Sequence, residues 1–227
     1  MLRTLYIVFA YLGLLSVPST YIAGWRHDPA APAGNLLFNL ALYAVFIVIH
    51  ILMTTAWFKR TFFGREEGSP TERRVYIAIS VVTWVGMYVL HEPVPGPGWI
   101  APTWLQFVGL CCVLLGVVAF FEFATLEGLG SLLGVPGSEL SHAIDAPLLT
   151  EGPYASVRHP MYRAASLYML ASLLIHPNAG QLLFVALGAL GFLAFVPVEE
   201  RQLLRTRGDE YRSYMEVTRY RVFRGIW

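Results

Sequence analysis

The sequence predicts an all-α, polytopic membrane protein. We expect about six transmembrane helices, the last two forming a hairpin, and then an amphipathic tail helix on the face where the hairpin ends. Three observations carry this. Of the 227 residues, 56% are hydrophobic and only 14% are charged, and mean hydropathy is +0.55, whereas a soluble domain carries about 25% charged residues. Apolar runs recur near the roughly 20 residues a membrane-spanning helix needs. When those runs alternate across a bilayer, the basic residues gather on one side.

The first run covers residues 5–23. Arg3 followed by 5–17 and Ala23-Gly24 has some features of a secretory leader, but Pro18, Tyr21 and Trp25 make a poor cleavage region. Tyr21 and Trp25 suit an interfacial aromatic belt, so the run is read as a span. The second run, 36–58, carries His50 in mid-membrane, and intramembrane ionisable groups deserve a functional hypothesis. A third run covers 75–90 and leads into the Pro/Gly-rich loop 93–102. The fourth, 104–124, contains Cys111 and Cys112, which point about 100° apart on a helix and read as reduced apolar thiols. The fifth, 164–175, is short: at about 1.5 Å per residue it does not cross a hydrocarbon core about 30 Å thick. After the break at His176-Pro177-Asn178-Ala179-Gly180, the sixth run covers 181–198.

Alternation from an inside N-terminus puts every basic residue except Arg26 on one face, so both termini are expected to be cytoplasmic. The short chain suits a bacterial inner membrane. It divides into residues 1–125 (four helices), a cytoplasmic loop 126–163, the hairpin 164–198 and a tail 199–227. The tail alternates charge with Leu203, Leu204, Tyr211, Tyr214 and Met215 over 201–220, as an interfacial helix does. A net charge of +1 gives no reason to expect nucleic acid. The six histidines show no i, i+3 or i, i+4 pairing and the cysteines lack ligand spacing, so no metal is expected.

A hairpin returns to the face from which it started. It therefore brings Gly152-Pro153-Tyr154-Ala155-Ser156-Val157-Arg158-His159-Pro160-Met161-Tyr162 together with Glu199-Glu200. Arginine offers a planar fork for carboxylate or phosphate, histidine titrates near neutral pH, and proline suits the first turn of the following helix. A carboxylate near the apolar boundary is costly without a partner, and Arg158 and His159 are the nearest plausible ones. In the loop, Gly128, Gly130, Gly134, Pro136 and Gly137 permit turns and close backbone approach to a ligand.

Gly-Pro-Tyr, then His-Pro-Met-Tyr, a hydrophobic hairpin and Glu-Glu resembles the integral-membrane methyltransferase superfamily over about residues 128–214. That group includes isoprenylcysteine carboxyl methyltransferases and phospholipid methyltransferases. The run Gly128-Leu129-Gly130-Ser131-Leu132-Leu133-Gly134 resembles the glycine motif of the phospholipid enzymes. Upstream, His50, Phe58-Lys59-Arg60 and Glu72-Arg73-Arg74-x-Tyr76 more weakly resemble methanethiol S-methyltransferases and NnrU-like proteins, whose usual Gln-His-Ser is here Ile49-His50-Ile51.

The resemblance implies S-adenosylmethionine as the methyl donor. It further implies that Gly128, Gly130, Tyr154, His159, Pro160, Tyr162, Glu199 and Glu200 line the donor's pocket, and that Arg158 and Glu199 are catalytic, Arg158 holding an anionic acceptor. The partners implied are the bilayer and a small or lipophilic acceptor, with a thiol or carboxylate favoured over a lipid amine. Two other functions share the pattern. Membrane sterol-type reductases carry a similar Arg-His-Pro-x-Tyr segment and bind NADPH, but usually have Asn before the Tyr and Gly-Glu soon after, where this chain has Met161 and Arg163-Ala164-Ala165. A non-enzymatic, NnrU-like accessory protein would use the hairpin only as a scaffold.

Overall fold

The computed structural model describes residues 2–64, 69–135 and 147–227. Pro136, Gly137 and His142 of the long loop, and Arg65 of an earlier one, lie outside the described residues. The helices among the described residues are α1 (Leu2–Ala23), α2 (Gly34–Thr54), α3 (Ala56–Phe63), α4 (Pro70–Leu90), α5 (Thr103–Glu127), α6 (Leu129–Leu132), α7 (Pro160–Ile175), α8 (Ala179–Arg207) and α9 (Asp209–Val217), with a 3₁₀ turn at Gly152–Ala155. Among the described residues no strand forms, only isolated bridges such as His27 to Val94. The fold is all-α and built for a bilayer.

Among the described residues five helices, α1, α2, α4, α5 and α8, are long and apolar enough to cross a membrane. The expected fifth run is α7, whose 16 residues span about 24 Å and fall short of that group. Local chemistry sets the ends. Thr55 breaks α2 from α3 and caps the latter by accepting from the Phe58 amide at 3.2 Å. Ser69 caps α4 at the Glu72 amide, 3.0 Å away, and Pro70 follows as the first helical residue. Lys59 of α3 pairs with Glu72 of α4 at 3.1 Å, closing that corner.

The hairpin turn is equally defined. Asn178 caps α8 through the Gln181 amide at 2.8 Å. The Gln181 side chain donates to Ser172 of α7 at 2.7 Å and accepts from the Trp25 amide at 3.1 Å. One amide thus ties both arms of the hairpin to the end of α1. Near that end lies the main core, where Tyr21, Trp25, Tyr43, Tyr168 and Phe184 pack ring on ring. α5 lies tightly along α7 because Gly109 and Gly116 face it: a Cβ at Gly116 would come within 2.9 Å of the Tyr168 ring.

The tail departs from expectation. α8 does not end at the membrane boundary near Glu199 but continues unbroken to Arg207. The expected helix over 201–220 is therefore two pieces, the end of α8 and the short α9. Gly208, at φ +55° and ψ −122°, makes the break in a conformation reserved for glycine. Tyr211 and Tyr214 of α9 are buried, and beyond Val217 the chain runs on without helix and folds back toward the start of α7.

Candidate functional site

The site begins where α7 begins. Val157, Arg158, His159 and Pro160 are all buried. Pro160 opens the helix, having no amide hydrogen to leave unsatisfied. The amides of Arg158 and His159 donate to the carbonyls of Tyr220 and Arg221 at 2.9 and 2.8 Å. The C-terminal segment is therefore strapped across the site, held in turn by the Trp227 carbonyl, which accepts from the amides of Arg221 and Val222.

Arg158 spends its Nε and Nη1 within the protein. Its Nε donates to Glu200 Oε1 at 2.7 Å, and its Nη1 to the carbonyls of Thr218 and Arg219, each at 2.7 Å. The other Glu200 oxygen accepts from Arg221 Nε at 2.9 Å, and the Arg221 guanidinium lies over the Trp227 ring, 5.5 Å from its centroid. His159 Nε2 adds a third contact to Glu200 at 3.3 Å. Such charge-assisted bonds let a carboxylate survive burial.

Glu199 differs. Its side chain is 48% exposed against 4% for Glu200. It meets His159 Nδ1 at 3.5 Å and lies beside the Tyr162 phenol. Tyr162 packs edge-on to His159 and Phe192, at 5.7 and 4.8 Å between ring centroids. Burial pushes the His159 pKa down, but hydrogen bonds to Glu199 and Glu200, and then their charges, outweigh burial and raise it. A carboxylate lies beside each ring nitrogen, an arrangement that favours the protonated ring. Glu199 is left as the partly open anionic group of the cluster, able to take a cationic or hydroxyl-bearing ligand.

The structure brings together Arg158, His159, Pro160, Tyr162, Glu199 and Glu200. Gly128, Gly130 and Tyr154 belong to a neighbouring patch. Leu129, between the two glycines, packs with Tyr154 on Phe123, Ala124 and Leu132, and the Tyr154 carbonyl accepts from the Tyr214 hydroxyl at 2.8 Å. Gly128, at φ +77°, turns the chain from α5 into α6. Beside this patch an open groove of about 610 Å³ is lined by residues including Glu122, Ser156 and Arg163.

Two contributors were not picked out from the sequence as site residues. Arg221 is one arginine in an arginine-rich tail, and nothing in its spacing marks it. Tyr76 of α4 lies within electrostatic range of both Glu199 and Tyr162; its signal was the Glu72-Arg73-Arg74-x-Tyr76 segment. Among the described residues no cluster of three or more His, Cys, Asp or Glu side chains forms that could hold a metal ion.

Residues 104–209, which include most of this cluster, match the family model described as phospholipid methyltransferase. Over 218 residues the chain is 32% identical to a methanethiol S-methyltransferase of Mycobacterium tuberculosis, covering 90% of this chain and 83% of that one. It is 28% identical to methanethiol S-methyltransferase 1 of Bradyrhizobium diazoefficiens, over 93% of this chain and 74% of the relative. It is also 28% identical to the methanethiol S-methyltransferase of Pseudomonas deceptionensis, over 90% and 78%.

Proposed function

This chain belongs to the integral-membrane methyltransferase superfamily, and from that premise we propose that it transfers a methyl group from S-adenosylmethionine to the sulfur of a small thiol. The observation that carries the proposal is the split between the adjacent glutamates. Glu200 is buried and spent on Arg158, His159 and Arg221, whereas Glu199 is half open beside Tyr162. An open carboxylate suits the ammonium or hydroxyl groups of the donor. In this assignment Glu199, His159, Pro160 and Tyr162 hold the donor, with Gly128, Gly130 and Tyr154 at its margin. The donor, when bound, supplies an electrophilic methyl on a cationic sulfur.

The choice of acceptor rests on the relatives, which are named for methanethiol S-methylation. Arg158 spends Nε and Nη1 on Glu200 and on the carbonyls of Thr218 and Arg219, so it positions Glu200 and the strap and does not offer its whole fork to an anionic acceptor; a small thiol needs no such clamp. Displacement at a methyl group gains mainly from alignment of donor and acceptor, and a rigid, buried cluster supplies alignment.

The test is direct. Purified protein should transfer labelled methyl from S-adenosylmethionine to small alkyl thiols in a time-dependent way, and Glu199→Gln should lose that transfer. Transfer to lipid amines or carboxylates with none to thiols would overturn the choice of acceptor.

A further inference from the structure

We propose that His50 is the general base that takes the proton from the thiol acceptor. The proposal rests on the thiol reading given above and deepens it, because a thiol at neutral pH is mostly protonated while its thiolate is the nucleophile. Something at the site must accept that proton.

The geometry points to His50 for four reasons. Its Nδ1 lies 2.7 Å from the Phe46 carbonyl, and a carbonyl only accepts, so Nδ1 carries the hydrogen and the neutral ring keeps its lone pair on Nε2. No hydrogen bond to Nε2 forms among the described residues. The ring is held in place, against Phe46 with centroids 4.0 Å apart and edge-on to Tyr76 at 5.8 Å. Finally, the ring lies at the correct end of the molecule. It is about one turn before α2 ends at Thr54, and Tyr76 lies early in α4, within electrostatic range of Glu199 and Tyr162. Tyr76 thus touches the His50 ring and shares this end of the helix bundle with Glu199 and Tyr162.

Other candidates fit worse. His159 has a carboxylate beside each ring nitrogen, so neither nitrogen is left open to a thiol. His27, His91 and His176 lie in the connections at the opposite end of the helices. A carboxylate is in general a weaker base than an imidazole, and Glu199 is assigned to the donor. The charged and titratable groups around His50 are Tyr76 from α4, with Arg73 5.8 Å from its ring centroid, the Lys59–Glu72 pair closing the corner of α3 and α4, and Glu199 of α8 beyond Tyr76.

The step balances. The thiol S–H bond breaks, its proton goes to His50 Nε2, and the electron pair stays on sulfur. That pair forms the new carbon–sulfur bond as the donor's methyl–sulfonium bond breaks and returns its pair to the donor sulfur. The imidazolium then releases its proton to water, so each turnover yields thioether, S-adenosylhomocysteine and one proton.

The experiment compares two thiols in one variant. With a weakly acidic alkyl thiol such as 2-phenylethanethiol, His50→Gln should lose methyl transfer by about a hundredfold or more. With a thiophenol already ionised at neutral pH it should keep nearly the wild-type rate, and its affinity for S-adenosylhomocysteine should be unchanged. A second readout is the pH profile. With wild type, the rate on the alkyl thiol should level off at a pH well below the free thiol's own pKa, whereas with His50→Gln it should keep rising toward that pKa. Equal losses on both thiols, or no loss on the alkyl thiol, would overturn the role of His50. Should His50→Gln fail to bind S-adenosylhomocysteine, the wild-type pH profile decides alone, and a rate that keeps rising up to the thiol's own pKa overturns the proposal. A wild-type protein that binds S-adenosylhomocysteine but methylates neither thiol overturns the acceptor reading itself, which is a distinguishable failure.

Discussion

Two adjacent glutamates with opposite environments define the site at the scale of single residues. Neighbouring side chains on a helix diverge by about 100°, so Glu200 turns inward to Arg158 and Arg221 while Glu199 turns toward Tyr162 and open space. Glu200→Gln leaves the buried Arg158 without its charge partner, which should cost about 3–5 kcal/mol and lower the thermal midpoint in detergent. Glu199→Gln, at a half-exposed position, should change stability by only about 0.5 kcal/mol while removing donor binding. Equal destabilisation by the two would remove the distinction. His159 gives a pH test. Its folded pKa is raised, so its stabilising contribution is fully present below the unfolded value of about 6.5 and is lost as pH rises through the folded value. The gap in melting temperature between wild type and His159→Asn should therefore be widest below about pH 6.5 and narrow as pH climbs. A gap that widens with pH would contradict the imidazolium. The sequence made the meeting of Arg158 and His159 with the glutamates legible, because the hairpin break at His176–Gly180 is unmistakable. Which glutamate faces in was not legible, since that depends on Arg221 and on carbonyls of the strap, contacts with no local signature.

At the scale of elements, the strap after α9 organises the start of α7. The carbonyls of Thr218, Arg219, Tyr220 and Arg221 take up hydrogen bonds from the Arg158 side chain and from the amides of Arg158 and His159. Ending the chain after Val217 would leave Arg158 Nη1 and the amides of Arg158 and His159 without these acceptors inside a buried cluster, at about 1–3 kcal/mol for each lost acceptor. The truncated protein should still enter the membrane, since α1 to α8 are intact, but it should lose donor binding. Its Arg158 and His159 amides should also exchange hydrogen far faster than in the full chain. Retained protection at those amides would show that the strap is dispensable. The strap was not legible because the charge pattern over 201–220 favours one continuous surface helix, whereas Gly208 and the burial of Tyr211 and Tyr214 impose a turn back onto the site.

At the scale of the whole molecule, the all-α membrane architecture was legible because hydropathy and length are direct physical requirements of a bilayer. Five helices meet that requirement among the described residues, and α7 is short because its start at Pro160 belongs to the site. The helices then serve two ends. An aromatic core and Gln181 hold the hairpin turn to α1 at one end, and Glu199, Glu200 and His159 meet at the other. The central claim is that Glu199 is the donor-facing carboxylate. The most direct test is calorimetric titration of the full-length protein with S-adenosylhomocysteine, comparing wild type, Glu199→Gln and Glu199→Asp. The account predicts micromolar-range binding to wild type, weakened at least tenfold by Glu199→Gln and less by Glu199→Asp, with folding unchanged. Wild-type affinity retained in a folded Glu199→Gln protein would contradict it.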